Sequence, residues 1–436
     1  MTDDNFQRTD DRFRNLSSVR PSLNPDPGPA PDFESPFDRA GTGSSKWARA
    51  DAPGVIPMGL ADMDLPGPPA IARALRQRAD HRAYGYTVCD PAGRSLVADW
   101  YRARHGVEVD PDWVLLLPCG PRTALRILLE TVRERAAHPD STRPGAARSP
   151  APVLFPTPEW GGFAQLCRAA RLEYRELPLP VGPDGYRLPV GPLPGPTSAV
   201  LLSSPHNPSA RVWPADGLRA LAERAAEAGA LLVSDEVHGD LTHPGHLHPV
   251  AVTTVGPALR HLVVTLNSVG KTFNCSGIPS SFALVPDSAL RARFTDALAG
   301  YGLWEGGLLE QTVQQAALRE GGPWLDALLA HLAAARTRLA DRLGPAVRSA
   351  PQASYLLWLD AAALGLPPQD ARRALLERCG LEASDGTEFG PGGRGSLRLN
   401  YALPGSVLAT VLERLQRREQ PGRLERPDRP GRPDLP

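Results

Sequence analysis

Residues 262–274 read LVVTLNSVGKTFN, a short apolar run that leads into a polar segment containing Lys271. The run has the length and the β-branched content of a buried strand. Lys271 is one of two lysines among 48 basic residues, and Lys46 is the other. A guanidinium stays charged and is a poor nucleophile, whereas a lysine amine can bond covalently to an aldehyde. We therefore expect Lys271 to perform chemistry that arginine cannot.

The run at 262–266 is one of several short apolar runs that alternate with helical patterns. Candidate strands lie at 114–117, 153–155, 199–202, 231–234, 262–266 and 282–285. Between two of them, residues 215–228 place apolar side chains on one helical face, and Gly229 suits the C′ position. Strands that are apolar on both faces and separated by helices predict an α/β fold with a mostly parallel sheet sandwiched by helices.

The 436 residues are enough for a large domain and a smaller one. Long helical patterns at 306–320 and 323–343 follow the last candidate strand. We expect a disordered segment at 1–32, an N-terminal arm at 33–62 that packs with the small domain, a large domain at 63–300, a small α+β C-terminal domain at 301–418 and a disordered tail at 419–436. Lys46 is expected on the surface or in the arm.

The composition excludes several classes of protein. The formal net charge is zero and the arginines are scattered, which does not suit a nucleic-acid or membrane partner. Five cysteines without a CxxC pair predict neither a disulfide framework nor a metal site. The N-terminus has no apolar signal segment, and no apolar run approaches the ~18 residues of a membrane span, so we expect a cytoplasmic protein.

Polar and aromatic residues follow the candidate strands at their carboxyl ends, where open α/β sheets bind ligands. These segments are Pro118–Thr123, Pro156–Trp160, Ser204–Pro208, Asp235–His238 and Ser268–Lys271. They supply a lysine for a covalent bond to an aldehyde, a carboxylate for a pyridine nitrogen, a flat ring for stacking and a helix N-terminus for a phosphate. This combination predicts a binding site for pyridoxal 5′-phosphate.

From about residue 37 to residue 418, the chain resembles a known family. The motifs that carry the resemblance are ADMDLP at 61–66, YGYT at 84–87, SDEVHGDL at 234–241, KTFNCSG at 271–277, ASYLLWLD at 353–360 and GSLRLN at 395–400. They resemble fold-type I pyridoxal-phosphate enzymes of the class I/II aminotransferase superfamily, and within it the cystathionine β-lyase group of carbon–sulfur lyases. The resemblance implies a large domain with a mostly parallel seven-stranded sheet and a smaller α+β C-terminal domain.

The resemblance also implies roles at the cofactor. Lys271 would carry the cofactor and act as the catalytic acid and base, Asp235 would pair with the pyridinium, and Trp160 would stack on the ring. Asn207 would bond the ring oxygen, and His238 stands where many aminotransferases have a tyrosine. The phosphate would be held by Ser268 and by the segment Gly120, Pro121, Arg122 and Thr123.

Substrate and partner roles follow from the same resemblance. Arg398 would hold the substrate α-carboxylate through a bidentate pair. Ala61 and Asp62 would line the substrate side of the site. Tyr86 would reach the cofactor phosphate of a neighbouring subunit, which implies a homodimer with shared active sites.

Three positions depart from the family pattern. Gly270 precedes the lysine where serine is common, and Pro279 stands where many members have a basic residue for the phosphate. Pro121 has no N–H to donate to a phosphate. We hypothesise that Arg122 supplies the missing positive charge, either to the phosphate or to the substrate.

The resemblance implies a carbon–sulfur β-lyase that converts an S-substituted L-cysteine into a thiol, pyruvate and ammonia. One alternative is an aminotransferase, which uses the same residues and returns the proton to a cofactor carbon. Another is a tailoring enzyme of secondary metabolism that acts on a cysteine S-conjugate, by C–S cleavage or by decarboxylation coupled to deamination, as in lincosamide-type biosynthesis. A non-catalytic regulator is a third, although intact Lys271, Asp235 and Arg398 favour catalysis.

Overall fold

The computed structural model describes residues 30–39, 41–49, 54–137, 151–182 and 185–417. The end segments predicted at 1–32 and 419–436 lie outside the described residues, apart from residues 30–32. Within the described chain, no helix is long and apolar enough to cross a membrane. The predicted domain boundaries stay predictions.

Helices and strands alternate over most of the chain. The α-helices are α1 (Pro69–Asp80), α2 (Ala92–His105), α3 (Pro121–Ala137), α4 (Gly162–Ala169), α5 (Ala215–Glu227), α6 (Ala251–Thr254), α7 (Val269–Thr272), α8 (Ser288–Gly300), α9 (Leu308–Glu320), α10 (Gly322–Leu343), α11 (Ala371–Cys379) and α12 (Gly405–Arg417). The strands are β1 (Ile56–Pro57), β2 (Val114–Leu117), β3 (Val153–Thr157), β4 (Tyr174–Pro178), β5 (Val181–Gly182), β6 (Gly185–Tyr186), β7 (Ala199–Ser203), β8 (Leu231–Asp235), β9 (Val263–Asn267), β10 (Ser281–Leu284), β11 (Leu356–Asp360), β12 (Leu381–Glu382), β13 (Ser384–Asp385) and β14 (Ser396–Asn400). All six predicted strands and the three predicted helices are present, with ends that differ by two residues or fewer.

The central sheet of the described chain has seven strands in the order β2-β10-β9-β8-β7-β3-β4. Strand β10 runs antiparallel to both of its neighbours, whereas β9, β8, β7, β3 and β4 are mutually parallel. The predicted mostly parallel, seven-stranded sheet is therefore confirmed. Its parallel strands bring the carboxyl ends of β7, β8 and β9 to one edge.

Alternate residues of each central strand pack on opposite faces of the sheet. In β7, Val200 faces the helix α5 side with Leu218, whereas Leu201 faces the other side with Phe163 of α4 and Phe294 of α8. All five are less than 5% exposed. Burying a side chain of this size contributes about 1.5–3 kcal/mol, which explains why the strands read as continuous apolar runs.

Strand β4 was absent from the predicted strands. It pairs in parallel with β3 at the edge of the sheet, from Val153↔Tyr174 to Thr157↔Pro178. Its residues are partly or fully exposed and include Arg175 and Glu176. An edge strand contacts water along one side, and charged residues there discourage pairing with another chain. A search for apolar runs therefore misses it.

The C-terminal part is built on a three-stranded antiparallel sheet in the order β11-β14-β13. This register places Arg398 opposite Trp358 on one side and Ser384 on the other. The N-terminal arm joins this part, because β1 pairs in parallel with β12 through Ile56↔Leu381. The segment that follows β1 then runs from the small sheet to the carboxyl edge of the large one.

Candidate active site

Lys271 stands just beyond the carboxyl end of β9. The strand ends at Asn267, and the short helix α7 begins at Val269. Ser268 fixes this turn, since its Oγ accepts from the Gly270 N–H (3.0 Å) and donates to the Ser280 carbonyl (2.6 Å). A side-chain cap of this kind holds the first turn of a helix in place. The lysine is thereby fixed relative to the sheet.

The amine of Lys271 is enclosed. Its Nζ donates to the Ala61 carbonyl oxygen at 2.5 Å. Burial lowers the pKa of Lys271, Asp62 and Asp235 oppose that change, and Arg398 adds to it. A lowered pKa favours the neutral amine, which is the form that attacks an aldehyde and accepts a proton.

Asp235 ends β8 beside the lysine. Burial raises the pKa of Asp235 to about 6, and the Val237 N–H, 3.3 Å from Oδ1, opposes this. Lys271 is close enough to lower the Asp235 pKa as well. A buried carboxylate with so little compensation suits a cationic partner such as a protonated pyridine nitrogen. The residues present therefore fit pyridoxal phosphate.

Arg398 and Asn207 meet across the two sheets. Arg398 Nη1 donates to Asn207 Oδ1 at 2.9 Å, and Nη2 donates to the Gly59 carbonyl at 2.7 Å. The guanidinium lies 4.7 Å from the ring centroid of Phe389. Burial lowers the pKa of Arg398 to about 10, so it stays charged. Its Nε is buried with no hydrogen-bond partner among the described residues, which leaves a donor for an anion.

His238 lies within the same site. Its Nδ1 is 3.0 Å from the Ser354 hydroxyl, and its ring meets the Tyr355 ring edge-on at 5.8 Å. Burial, together with the charges of Lys271 and Arg398, lowers the pKa of His238 to about 3. The imidazole is therefore neutral at physiological pH.

Trp160 and Arg122 form one wall near the start of α3. The indole of Trp160 packs over Gly162 and meets Phe163 edge-on at 5.4 Å. The Arg122 guanidinium lies 5.8 Å from the Trp160 ring centroid and donates to Gln165 Oε1 at 2.6 Å. Helix α3 begins at Pro121. Pro279 faces this turn, 3.8 Å from where a Cβ on Gly120 would lie.

Tyr86 is not brought to this site by its own chain. Its side chain is 94% exposed, and its ring lies 6.0 Å from that of Trp304. Other exposed apolar residues lie close to these two in the sequence. Tyr84 and Val88 are near Tyr86, and Tyr301 and Leu309 are near Trp304. A tyrosine this exposed is available to another molecule.

Several residues of the site were missed by sequence reasoning. Tyr355 is buried and donates to the Ala61 carbonyl at 3.3 Å. Glu159 is buried with its pKa raised to about 8 by desolvation, and it accepts from the Ser203 N–H at 3.1 Å. Phe389 comes from the C-terminal part, and its carbonyl accepts from the Glu159 N–H at 3.0 Å. The motif ASYLLWLD contained Tyr355, but no chemistry was attached to it.

The location of Lys46 is where the structure corrects the prediction most clearly. It belongs to the arm, as one of the two interpretations held, but it is 1% exposed and does not lie on the surface. Its Nζ is 2.8 Å from Asp64 Oδ2 and donates to the Asp62 carbonyl at 2.9 Å. Both lysines therefore contact the ADMD segment. Buried polar contacts between distant residues leave no periodic signal in a sequence.

The fold and this arrangement define a fold-type I pyridoxal-phosphate enzyme. The sequence model for aminotransferase class I and II matches residues 53–415, and the chain belongs to that family. It is 32% identical over 399 residues to cystathionine β-lyase PatB of Bacillus subtilis, covering 88% of this chain and 98% of PatB. It is 28% identical to protein MalY of Escherichia coli over 392 residues, covering 86% of this chain and 96% of MalY.

A solved structure shows the same fold. Cystalysin from Treponema denticola, crystallised with pyridoxal 5′-phosphate, superposes with a TM-score of 0.77 and 24% identity, covering 90% of this chain and 99% of cystalysin. Its identity to this chain is low enough that the likeness concerns the fold alone. The predicted fold class is thereby confirmed, and the family model and PatB confirm the predicted family.

Proposed function

We propose that this protein is a pyridoxal-phosphate-dependent carbon–sulfur β-lyase that converts an S-substituted L-cysteine into a thiol, pyruvate and ammonia. The observation that carries the proposal is the meeting of three groups: the Lys271 amine with its lowered pKa, the Asp235 carboxylate and the Arg398 guanidinium. The similarity to PatB, which is named a cystathionine β-lyase, supports elimination over other outcomes of the same site.

The cofactor, when bound, withdraws electrons from the Cα of an amino acid joined to its aldehyde carbon. Lys271 would hold the cofactor and then, as a neutral amine, remove the Cα proton. Asp235 would keep the ring nitrogen of the bound cofactor protonated, and Asn207 would donate to the ring oxygen through its amide. Once Cα has lost its proton, the thiolate would leave from Cβ with the electron pair of the C–S bond and take up a proton. The three-carbon enamine that remains would then react with one water to give pyruvate and ammonia.

Arg398 holds the substrate by its α-carboxylate. Its buried Nε has no partner among the described residues, and its other nitrogens are fixed by Asn207 and Gly59. A guanidinium fixed in this way offers a preorganised fork to a carboxylate. Ala61 and Asp62 line the same side. Neutral His238 adds no charge beside the reacting carbon.

Arg122 is proposed to contribute to phosphate or substrate binding. It would compensate for Pro279, which stands where many family members have a basic residue. The support is its position one residue after the start of α3, beside Trp160. The N-terminus of a helix together with a guanidinium favours a phosphate. Arg122→Ala should weaken cofactor binding or raise the substrate KM, whereas Arg126→Ala on the same helix should do neither. Unchanged cofactor affinity and KM would contradict this role.

The functional unit is proposed to be a cytoplasmic homodimer in which Tyr86 reaches the phosphate site of the partner subunit. The exposed Tyr86 and Trp304 support an interface at this surface, because monomers rarely leave such residues in water. A sequence with five cysteines and no CxxC pair suits a reducing compartment.

The function is tested with a panel of cysteine S-conjugates. Pyruvate and thiol in equal amounts are the expected products, and Lys271→Ala should release neither. A 2-oxo acid that keeps the sulfur side chain would instead show an aminotransferase. Carbon dioxide release would show the decarboxylating tailoring reaction. Either of those results would overturn the lyase proposal while leaving the cofactor site intact.

A further inference from the structure

Both lysines of the chain bind one short segment, residues 59–65. Lys271 donates to the Ala61 carbonyl at 2.5 Å, and Lys46 donates to the next carbonyl, that of Asp62, at 2.9 Å. Lys46 also forms an ion pair with Asp64 at 2.8 Å. Lys46 and Asp64 are 1% and 2% exposed. A buried ion pair is costly unless further hydrogen bonds complete it, so its place beside the active site calls for an explanation.

Side chains from distant parts of the chain hold the carbonyls of this segment. Arg398 donates to the Gly59 carbonyl at 2.7 Å, and Asn400 donates to the Leu60 carbonyl at 2.8 Å. Asn274, three residues after Lys271, donates to the Leu65 carbonyl at 2.7 Å. The backbone that receives the Lys271 amine is therefore fixed on both sides.

Four charged groups next to this backbone balance one another. Arg39 Nη1 lies 2.7 Å from Asp62 and 3.2 Å from Asp64, while Lys46 pairs with Asp64. The Trp47 indole N–H also donates to Asp64, at 2.9 Å. Two cations and two carboxylates give the group a net charge of zero. Asp62 is also the acidic residue that most strongly favours the protonated form of Lys271.

We propose that Lys46 and Arg39 are positioning residues for the catalytic amine: they neutralise the carboxylates of the ADMD segment and so keep Lys271 in its neutral, reactive form. The inference rests on the proposed role of Lys271 as a base. Without Lys46 and Arg39, the carboxylates of Asp62 and Asp64 would raise the proton affinity of the Lys271 amine. Lys46 and Arg39 thus act on catalysis through charge, without touching substrate or cofactor.

Other charged and titratable groups also face Lys271, and none of them belongs to the arm. Asp235 comes from β8, Arg398 from β14 and His238 from the turn after β8. Tyr355 shares the Ala61 carbonyl with the lysine. Substitutions in the arm leave all of these in place, so they isolate the effect of the arm.

The variants have expected effects of opposite sign. Lys46→Met and Arg39→Gln each leave one uncompensated carboxylate, so the Lys271 pKa should rise. In Lys46→Met, Arg39 and the Trp47 indole still donate to Asp64, so the carboxylate keeps two of its partners. Asp64→Asn leaves one uncompensated cation, so the Lys271 pKa should fall. The double variant Lys46→Met/Asp64→Asn restores balance, and its Lys271 pKa should return to that of the wild type.

The measurement uses a feature specific to this sequence, which is that the full chain contains two lysines. Cofactor-free full-length protein labelled with ¹³C at the lysine ε-carbon gives two side-chain signals, and Lys46→Arg assigns them. Titration of the Lys271 signal then reports its pKa directly. In the loaded enzyme, the acidic limb of the kcat profile should move in the same direction as this pKa.

The outcomes are decisive. A Lys271 pKa that is unchanged in both Lys46→Met and Arg39→Gln, or a rise that Asp64→Asn does not reverse in the double variant, would overturn the proposal and leave the arm a purely stabilising role. If Lys46→Met does not fold, the variant Arg39→Gln, at a partly exposed position, tests the proposal alone. The titration needs no substrate, so its result stands even if the reaction is not β-elimination.

Discussion

Asp235 shows how one buried residue links the cofactor site to folding. Its carboxyl ends a central strand and has its pKa raised to about 6 by burial. A bound cofactor with a protonated ring nitrogen would supply the missing partner. The same residue therefore destabilises the cofactor-free chain and stabilises the complex.

The first prediction concerns pH and the cofactor-free chain. A carboxyl with a raised pKa binds its proton more tightly when folded, so its contribution to the free energy of unfolding decreases from about pH 4 to about pH 6 and is flat above. Asp235→Asn should remove this dependence, a difference of at most about 3 kcal/mol at neutral pH. Urea unfolding at several pH values measures it. Exposed Asp99→Asn is the control, and equal pH dependence in all three proteins would contradict the prediction.

The second prediction concerns Arg398. Arg398→Lys keeps the charge but cannot hold Asn207, Gly59 and a carboxylate at once. We expect the substrate KM to rise about 10- to 100-fold, with a smaller loss in kcat. Steady-state kinetics measure both. Arg394→Lys, at an exposed position four residues earlier, should leave them unchanged, and an unaltered KM in Arg398→Lys would refute the assigned role.

The clustering of candidate residues at one site was predictable because chemistry restricts their types, whereas their individual roles stay predictions. Lys271, Asp235, Asn207 and Arg398 lie together as their motifs predicted. The burial of Lys46 was not predictable, since it depends on an ion pair with Asp64, 18 residues away. Sequence periodicity carries no information about such contacts.

At the scale of elements, the loop between β3 and α4 packs tightly against residues 388–392 of the C-terminal part. The Gly392 N–H donates to Thr157 Oγ1 at 3.1 Å, and Phe389 accepts from the Glu159 N–H at 3.0 Å. A Cβ on Gly161 would overlap the Glu388 carbonyl oxygen. This contact fixes the loop that carries Trp160. Strands such as β7 were predictable from their apolar runs, but this contact between loops was not.

The third prediction tests this contact. Gly161→Ala forces the backbones at Gly161 and Glu388 apart, since the new Cβ would overlap the Glu388 carbonyl oxygen. We expect a loss of about 1–3 kcal/mol in unfolding free energy and weaker cofactor binding through displacement of Trp160. Thermal unfolding and cofactor titration measure these effects. Gly256→Ala has no atom within 4 Å of the new Cβ and serves as the control. Equal stability of the two variants would count against the contact.

At the scale of the whole molecule, one surface is unusually apolar. Tyr86, Val88 and Trp304 are 94%, 85% and 53% exposed. The Thr87 hydroxyl bonds the Gly306 carbonyl, which links the two segments into one surface. This surface is where we propose the second subunit binds.

The fourth prediction follows from that surface. Trp304→Arg places a charge in the proposed interface, so the dimer should dissociate and cofactor affinity should fall. Sedimentation velocity measures the association state. Val190→Arg changes a residue that is 92% exposed in the segment after β6, and it should remain dimeric. A wild-type chain that sediments as a monomer would disprove the shared site.

The scarcity of lysine has a practical consequence for following the molecule in solution. A protease that cleaves only after lysine has two targets in the entire sequence. Lys46 is buried in the arm, and Lys271 is half-buried at the active site, where its amine donates to the Ala61 carbonyl. The folded chain should therefore resist such a protease, and each cut would report a separate opening event. The rate of cleavage at Lys46 would report how fast the arm is released, and the rate of cleavage at Lys271 would report how fast the active site opens.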